Sequence, residues 1–121
     1  MKYKDIVNQQ KDLCKRLGLE WVESPPYLNV GIAKNVREGM MPINGLRHHE
    51  EGDTTGWYIW AGGEIPQDDP GFFVALHVEH LTEWYPEIFK YLGLPPGWRF
   101  LIDDKGHEDI WEDKSLLSEK L

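Results

Sequence analysis

Cysteine is all but missing: Cys14 is the only one among 121 residues. A single thiol excludes an intrachain disulfide and a cysteine-built metal site. Cys14 lies in a stretch of helical spacing and is expected to serve as a small buried hydrophobe. Long apolar runs are missing too. No stretch approaches the roughly 18 residues that a bilayer span requires. The start, Met1 to Asp5, leads into mixed polar sequence without a signal-peptide apolar region. A cytoplasmic protein is therefore the expectation. Positive charge is scarce, since 13 Lys and Arg face 21 Asp and Glu, a net charge of -8. That balance argues against a nucleic-acid partner, whose phosphates need Lys and Arg. It argues equally against an anionic membrane surface. A basic protein partner is compatible with it.

The motifs that usually carry chemistry are missing as well. There is no glycine-rich phosphate loop of the P-loop or dinucleotide type, no HExxH, and no serine in a GxSxG setting. Asp68-Asp69 and Asp103-Asp104 can pair as general acid and base in principle. Acidic pairs in loops are ordinarily turns or solvated faces. Glu64, Asp68 and Asp69 lack the glycine and terminal glutamate of a calcium loop. His77 and His80 stand three apart on an expected helix. They can ligate one metal if Glu79 or Glu83 supplies a third donor. Adjacent His48 and His49 point to opposite faces of a strand. Ordinary packing or hydrogen bonding of these histidines is the expectation, and a metal-dependent enzyme is the alternative. The expectations are thus no enzyme, no catalytic residue, no metal and no cofactor.

Aromatic side chains are plentiful: six Trp, five Tyr and four Phe in one domain-sized chain. They concentrate in Gly56-Trp57-Tyr58-Ile59-Trp60-Ala61-Gly62-Gly63-Glu64. Trp, Tyr and Ile suit a pleated, packed surface, so this stretch predicts a strand. Trp57, Ile59 and Ala61 then share one face, and Tyr58 and Trp60 the other. Gly62 and Gly63 end the strand or let another backbone come close. A strand apolar on both faces is either central or keeps one face for a partner. Trp57 and Ile59 are assigned to the core. Tyr58, Trp60 and the Glu64 that follows remain open.

Around this strand the spacing predicts a helix over Tyr3–Leu17, stopped by Gly18. Short strands are expected at Leu19–Glu23, Tyr27–Lys34 and Leu46–Glu50. Asn35–Gly39 reads as one turn of helix, then a loop, and Met41-Pro42-Ile43-Asn44-Gly45 as turn chemistry. Ile65–Gly71 reads as a polar loop. Leu81, Trp84 and Ile88 keep a helical spacing, so His77–Trp84 and Pro86–Tyr91 are expected as helices covering a sheet face, with Phe72–Leu76 leading in. Trp98–Asp113 reads as a hairpin lying beside the aromatic strand, and Lys114–Leu121 as a short amphipathic end. The fold class is α+β, a mostly antiparallel sheet covered by helices in a single domain. Residues 1–29 form an N-terminal helix and connector.

Charge is uneven along the chain. Residues 1–17 hold five basic against two acidic side chains, and Asp103–Asp113 holds six carboxylates against one lysine. Trp57, Tyr58, Trp60, Trp98 and Trp111 therefore fall in strands with carboxylates near their ends. One account is an aromatic core with a solvated rim. The other is a protein-binding surface, where Trp and Tyr are the usual anchors and surrounding charge steers the partner.

Several segments coincide in one order: Ala33-Lys34-Asn35-Val36, Thr55 to Glu64, Phe72-Phe73 with Leu76-His77-Val78-Glu79-His80-Leu81, Tyr91 to Ile102 through Leu94-Pro95-Pro96-Gly97-Trp98, and Glu108 to Asp113. Over roughly Val30 to Leu117 the chain resembles the bacterial immunity-protein family numbered thirty-three. The resemblance implies an α+β domain of polymorphic toxin systems. It also implies a non-catalytic role, binding a cognate toxin and neutralising it by occluding its active site. If that toxin is a basic nuclease, an acidic partner suits its groove. The physical reading of the residues assigns partner binding to Tyr58, Trp60, Glu64, Asp68, Asp69, Trp111 and Asp113. An intracellular interaction module with no toxin partner is the alternative.

Overall fold

A computed structural model of the chain describes residues 2–118. Its one described α-helix, α1 (Tyr3–Leu17), buries Ile6, Gln10, Leu13 and Cys14 along one stripe. Lys15 and Arg16 occupy its last turn, where a cation complements the helix dipole. Gly18 then adopts a left-handed conformation, φ 72°, and returns its N–H to the Lys15 carbonyl at 3.2 Å. Leu19 N–H closes on the Cys14 carbonyl at 2.8 Å, so the expected stop is a two-bond C-cap.

The described residues form one six-stranded sheet. Its strands are β1 (Asn29–Ala33), β2 (Ile43–Arg47), β3 (Thr54–Ala61), β4 (Phe73–His77), β5 (Trp98–Ile102) and β6 (Glu108–Glu112). They lie in the order β4-β1-β3-β2-β5-β6. Only β1 and β3 run parallel; every other neighbouring pair is antiparallel. The fold is α+β, as expected, and the aromatic strand β3 lies inside the sheet between β1 and β2. The β5–β6 hairpin is present but borders β2, so it is not the neighbour of β3 that the sequence suggested.

Three further expectations are corrected. Leu19–Glu23 forms no strand; the Val22 and Glu23 carbonyls accept from the Arg47 guanidinium at 2.9 and 3.2 Å, not from a ladder. Asn44-Gly45 lies inside β2 rather than in a turn. A side chain at Gly45 would collide with the Phe100 ring, so glycine there serves close packing. Phe73–His77 is the edge strand β4, and the helices expected after it are 3-10 segments, Val78–Glu83 and Pro86–Tyr91. Those segments do cover a sheet face, as expected. Val78, Leu81, Ile88, Phe89, Leu92 and Leu94 are all buried against it.

That covered face is the main core. Ile32, Ile43, Trp57, Ile59, Phe100 and Ile102 pack beneath α1 and residues 78–94. Trp57 donates its indole N–H to the Leu92 carbonyl at 3.2 Å, and its ring meets Phe100 at 5.5 Å. Arg47, beside it in register, is 0% exposed. Besides Val22 and Glu23, its guanidinium serves the carbonyls of Thr55 (2.9 Å), Leu92 (3.3 Å) and Leu94 (2.7 Å), and pairs with Glu50 at 3.1 Å. Burial lowers its pKa to about 10, while Glu50 pulls the other way, so it stays charged at neutral pH.

Candidate partner-binding face

The opposite face of the sheet is covered much less. The alternation that sends Trp57 and Ile59 inward turns Tyr58 and Trp60 to this side. Register extends the row across the whole sheet: Ala75, Gly31, Tyr58, Leu46, Arg99 and Trp111 lie side by side on six strands. A Cβ at Gly31 would come within 2.8 Å of the Tyr58 ring, so that ring rests on the β1 backbone. Tyr58 meets Phe73 edge-on at 5.2 Å and His48 at 5.6 Å; Phe73 in turn meets Phe72 at 5.0 Å and Trp60 at 6.3 Å. Edge-to-face contacts of this kind fix ring orientation as well as burying area.

Two short segments cover part of this face. The β3–β4 loop contributes Ile65, and the 3-10 turn Lys114–Leu117 contributes Leu116. His48 Nδ1 lies 3.1 Å from the Leu116 carbonyl, which can only accept, so that nitrogen is the donor. Between them runs a groove of about 580 Å³, with Leu46, Tyr58, Ile65 and Phe73 as its apolar part and His48, His49, Glu50 and Glu51 along its polar side. The groove is open and its chemistry is that of an interface: an aromatic floor with a charged rim.

On the far wing, Arg99 sits over the Trp111 ring at 5.3 Å and pairs with Asp113 at 3.2 Å. Arg99 Nε is buried and has no hydrogen-bond partner among the described residues. Asp113 also accepts from Ser115 N (3.2 Å) and Ser115 Oγ (2.6 Å). The Ser115 bonds, with Arg99, hold its carboxyl below the usual carboxylate range against the opposing effect of burial.

A model of the Imm33-like domain matches residues 9–113. The chain belongs to the Imm33-like domain family. The match takes in half of α1 and the connector as well as the segments in which the resemblance was read. Neither a curated protein nor a solved structure matches the chain. The family name points to immunity proteins, and in general terms to a toxin partner. No helix among the described residues is long and apolar enough to cross a membrane.

In this Imm33-like domain the sequence-assigned residues fall into three groups. Tyr58 is half-buried in the groove floor. Trp60 is only 4% exposed, and its indole donates to the Gly63 carbonyl at 2.7 Å, so it supports the floor from beneath. Trp111, 38% exposed, and Asp113 lie on the β6 wing. Tyr58 and Trp111 are three strands apart, about 14 Å at the usual strand spacing. Glu64, Asp68 and Asp69 are exposed on the β3–β4 loop beside Ile65 and do not line the groove. Sequence reasoning missed Leu46, His48, Ile65, Phe73 and Arg99. Reading Phe73–His77 as a strand would have placed Phe73 on the Tyr58 side by alternation alone.

Proposed function

We propose that this chain is a non-catalytic immunity protein that binds a cognate bacterial toxin in the cytoplasm and neutralises it by occluding its active site. The observation that carries the reading is the asymmetry of the sheet. One face is sealed by α1 and residues 78–94, while the other keeps a row from Tyr58 to Trp111 half open. Tyr58 and Trp111 are the proposed anchors, because aromatic groups of this kind supply most of the energy of protein interfaces. Glu64, Asp68 and Asp69 would steer a basic toxin such as a nuclease and raise its association rate. Trp60 packs edge-on against Phe73, which in turn meets Tyr58, and Asp113 fixes Arg99 against Trp111.

The test is co-expression with the toxin gene adjacent to this one, scored for growth rescue and for a co-purifying complex. Rescue with a stoichiometric complex is the expected result. Tyr58→Ala and Trp111→Ala should each weaken that complex by about 2 kcal/mol or more. Rescue without a complex, or a complex unchanged by both substitutions, overturns the proposed face.

A further inference from the structure

We propose that His77, Glu79 and His80 form a binding site for a divalent transition-metal ion of the zinc class. The imidazole nitrogens and the carboxylate oxygen of these three residues all lie within 4.8 Å of one another. The local backbone explains why. A 3-10 helix has three residues per turn, so side chains at i and i+3 stand one above the other. In Val78–Glu83 this turns Val78 and Leu81 into the core and leaves His77, His80 and Glu83 as one outward column, with Glu79 beside it. The imidazole rings are 6.0 Å apart, and His80 lies 3.7 Å from Glu83. All three donors are exposed, so of the packing or hydrogen bonding expected for these histidines, burial in the core is not what holds them.

The turn beneath them is held firmly. Val78 N–H donates to the Leu28 carbonyl at 2.9 Å and Glu79 N–H to the Pro26 carbonyl at 3.2 Å. Zinc bonds its nitrogen and oxygen donors at about 2.0–2.2 Å in a tetrahedron. The three donors therefore need only side-chain rotation to close on one ion, while the backbone stays fixed. Two imidazoles and one carboxylate suit zinc, nickel or copper rather than magnesium or calcium, which prefer oxygen alone. Three protein donors leave the fourth position for water.

Isothermal titration of the metal-free full chain with Zn2+ tests this. We expect one equivalent bound. Binding should weaken at least tenfold in His80→Ala and in His77→Ala, and measurably in the more conservative Glu79→Gln. His107→Ala serves as the control, because His107 lies 2.9 Å from Asp109 and is the competing histidine–carboxylate pair; it should bind as the parent does. No saturable uptake by the parent chain overturns the proposal. So does uptake that survives both His77→Ala and His80→Ala, or that disappears in His107→Ala alone.

Discussion

The two faces of β3 carry similar side chains and meet opposite fates. On one, Trp57 is 1% exposed, tilted against Phe100, hydrogen-bonded to Leu92 and overlain by the Arg47 guanidinium at 5.6 Å. On the other, Tyr58 is half-buried among Phe73, His48 and Leu46. Residue type does not separate them. Each face has the apolar area to be a core, at roughly 25 cal/mol per Å². The separation comes from the connections: α1 and residues 78–94 all return to the Trp57 side. Only a loop and a single 3-10 turn return to the Tyr58 side. The proposed binding face is a core face that the chain leaves partly uncovered.

Substitutions can break that contrast, and the largest effect is expected at Arg47. Arg47→Ala strips one hydrogen-bond donor group from five buried or half-buried carbonyls at once. The Leu92 carbonyl keeps the Ser24 hydroxyl and the Trp57 indole as donors, so four carbonyls lose the guanidinium without that reserve; at about 1–3 kcal/mol for each one left unpaired, a loss of about 5 kcal/mol in urea unfolding is expected. A loss under about 1 kcal/mol would mean that water replaces the guanidinium. Trp57→Ala follows, at about 3–5 kcal/mol, as for other large-to-small core changes. Tyr58→Ala should cost about 1 kcal/mol in the same assay while carrying its main effect in toxin affinity. Equal stability losses at Trp57 and Tyr58 would erase the distinction between the faces.

The end of β3 gives a smaller contrast. Gly62 has φ 89°, and an added Cβ would come within 2.7 Å of the Met40 sulfur. At Gly63 an added Cβ meets no described atom within 4 Å. Gly62→Val should cost about 1–3 kcal/mol, and Gly63→Val about 0.5 kcal/mol or less. Thermal melts of the two variants check the order.

The smallest effect concerns acid. Glu108 accepts from Tyr91 Oη at 2.6 Å and lies 3.5 Å from Lys90 and 3.4 Å from Arg16. Burial raises its pKa, but the Tyr91 bond and the two cations outweigh that and hold it below its usual value. A carboxyl depressed on folding stabilises the native state above its unfolded pKa, about 4.3, and that stabilisation fades as pH falls through the lower folded value. Glu108→Gln should therefore cost stability at pH 7 and progressively less toward pH 3. A constant difference across that range would mean the carboxylate charge contributes nothing.

Much of this was readable in the residues. The Gly18 stop, the β5–β6 hairpin and the alternation that parts Trp57 from Tyr58 all follow from spacing and local chemistry. Strand order did not, because nothing local says that β2 inserts between β3 and β5. The spacing of Leu81, Trp84 and Ile88 predicts helices between His77 and Tyr91 but not their type, because three-residue steps suit the 3-10 helix as well as the α-helix. Asn44-Gly45 carries turn residues for a packing reason, the Phe100 ring, that only the folded sheet reveals. At the candidate site, Tyr58 was legible by parity. The burial of Trp60 was not, since its cover comes from Ile65, Phe73 and Leu116, residues remote in the sequence.

Arg47 has one more consequence, for how distant parts of the chain depend on one another. A single guanidinium meets the chain at Val22 and Glu23, at Thr55, and at Leu92 and Leu94. None of these three segments can hold it alone, since each offers only one or two acceptors to a desolvated charge. The N-terminal connector, which has no ladder of its own, is thus tied through one guanidinium to β2 and residues 92–94, beside the bond from Val22 N–H to the Gly93 carbonyl at 2.9 Å. Trimming the connector would take away the Val22 and Glu23 carbonyls and leave this buried cation to Thr55, Leu92, Leu94 and Glu50 alone.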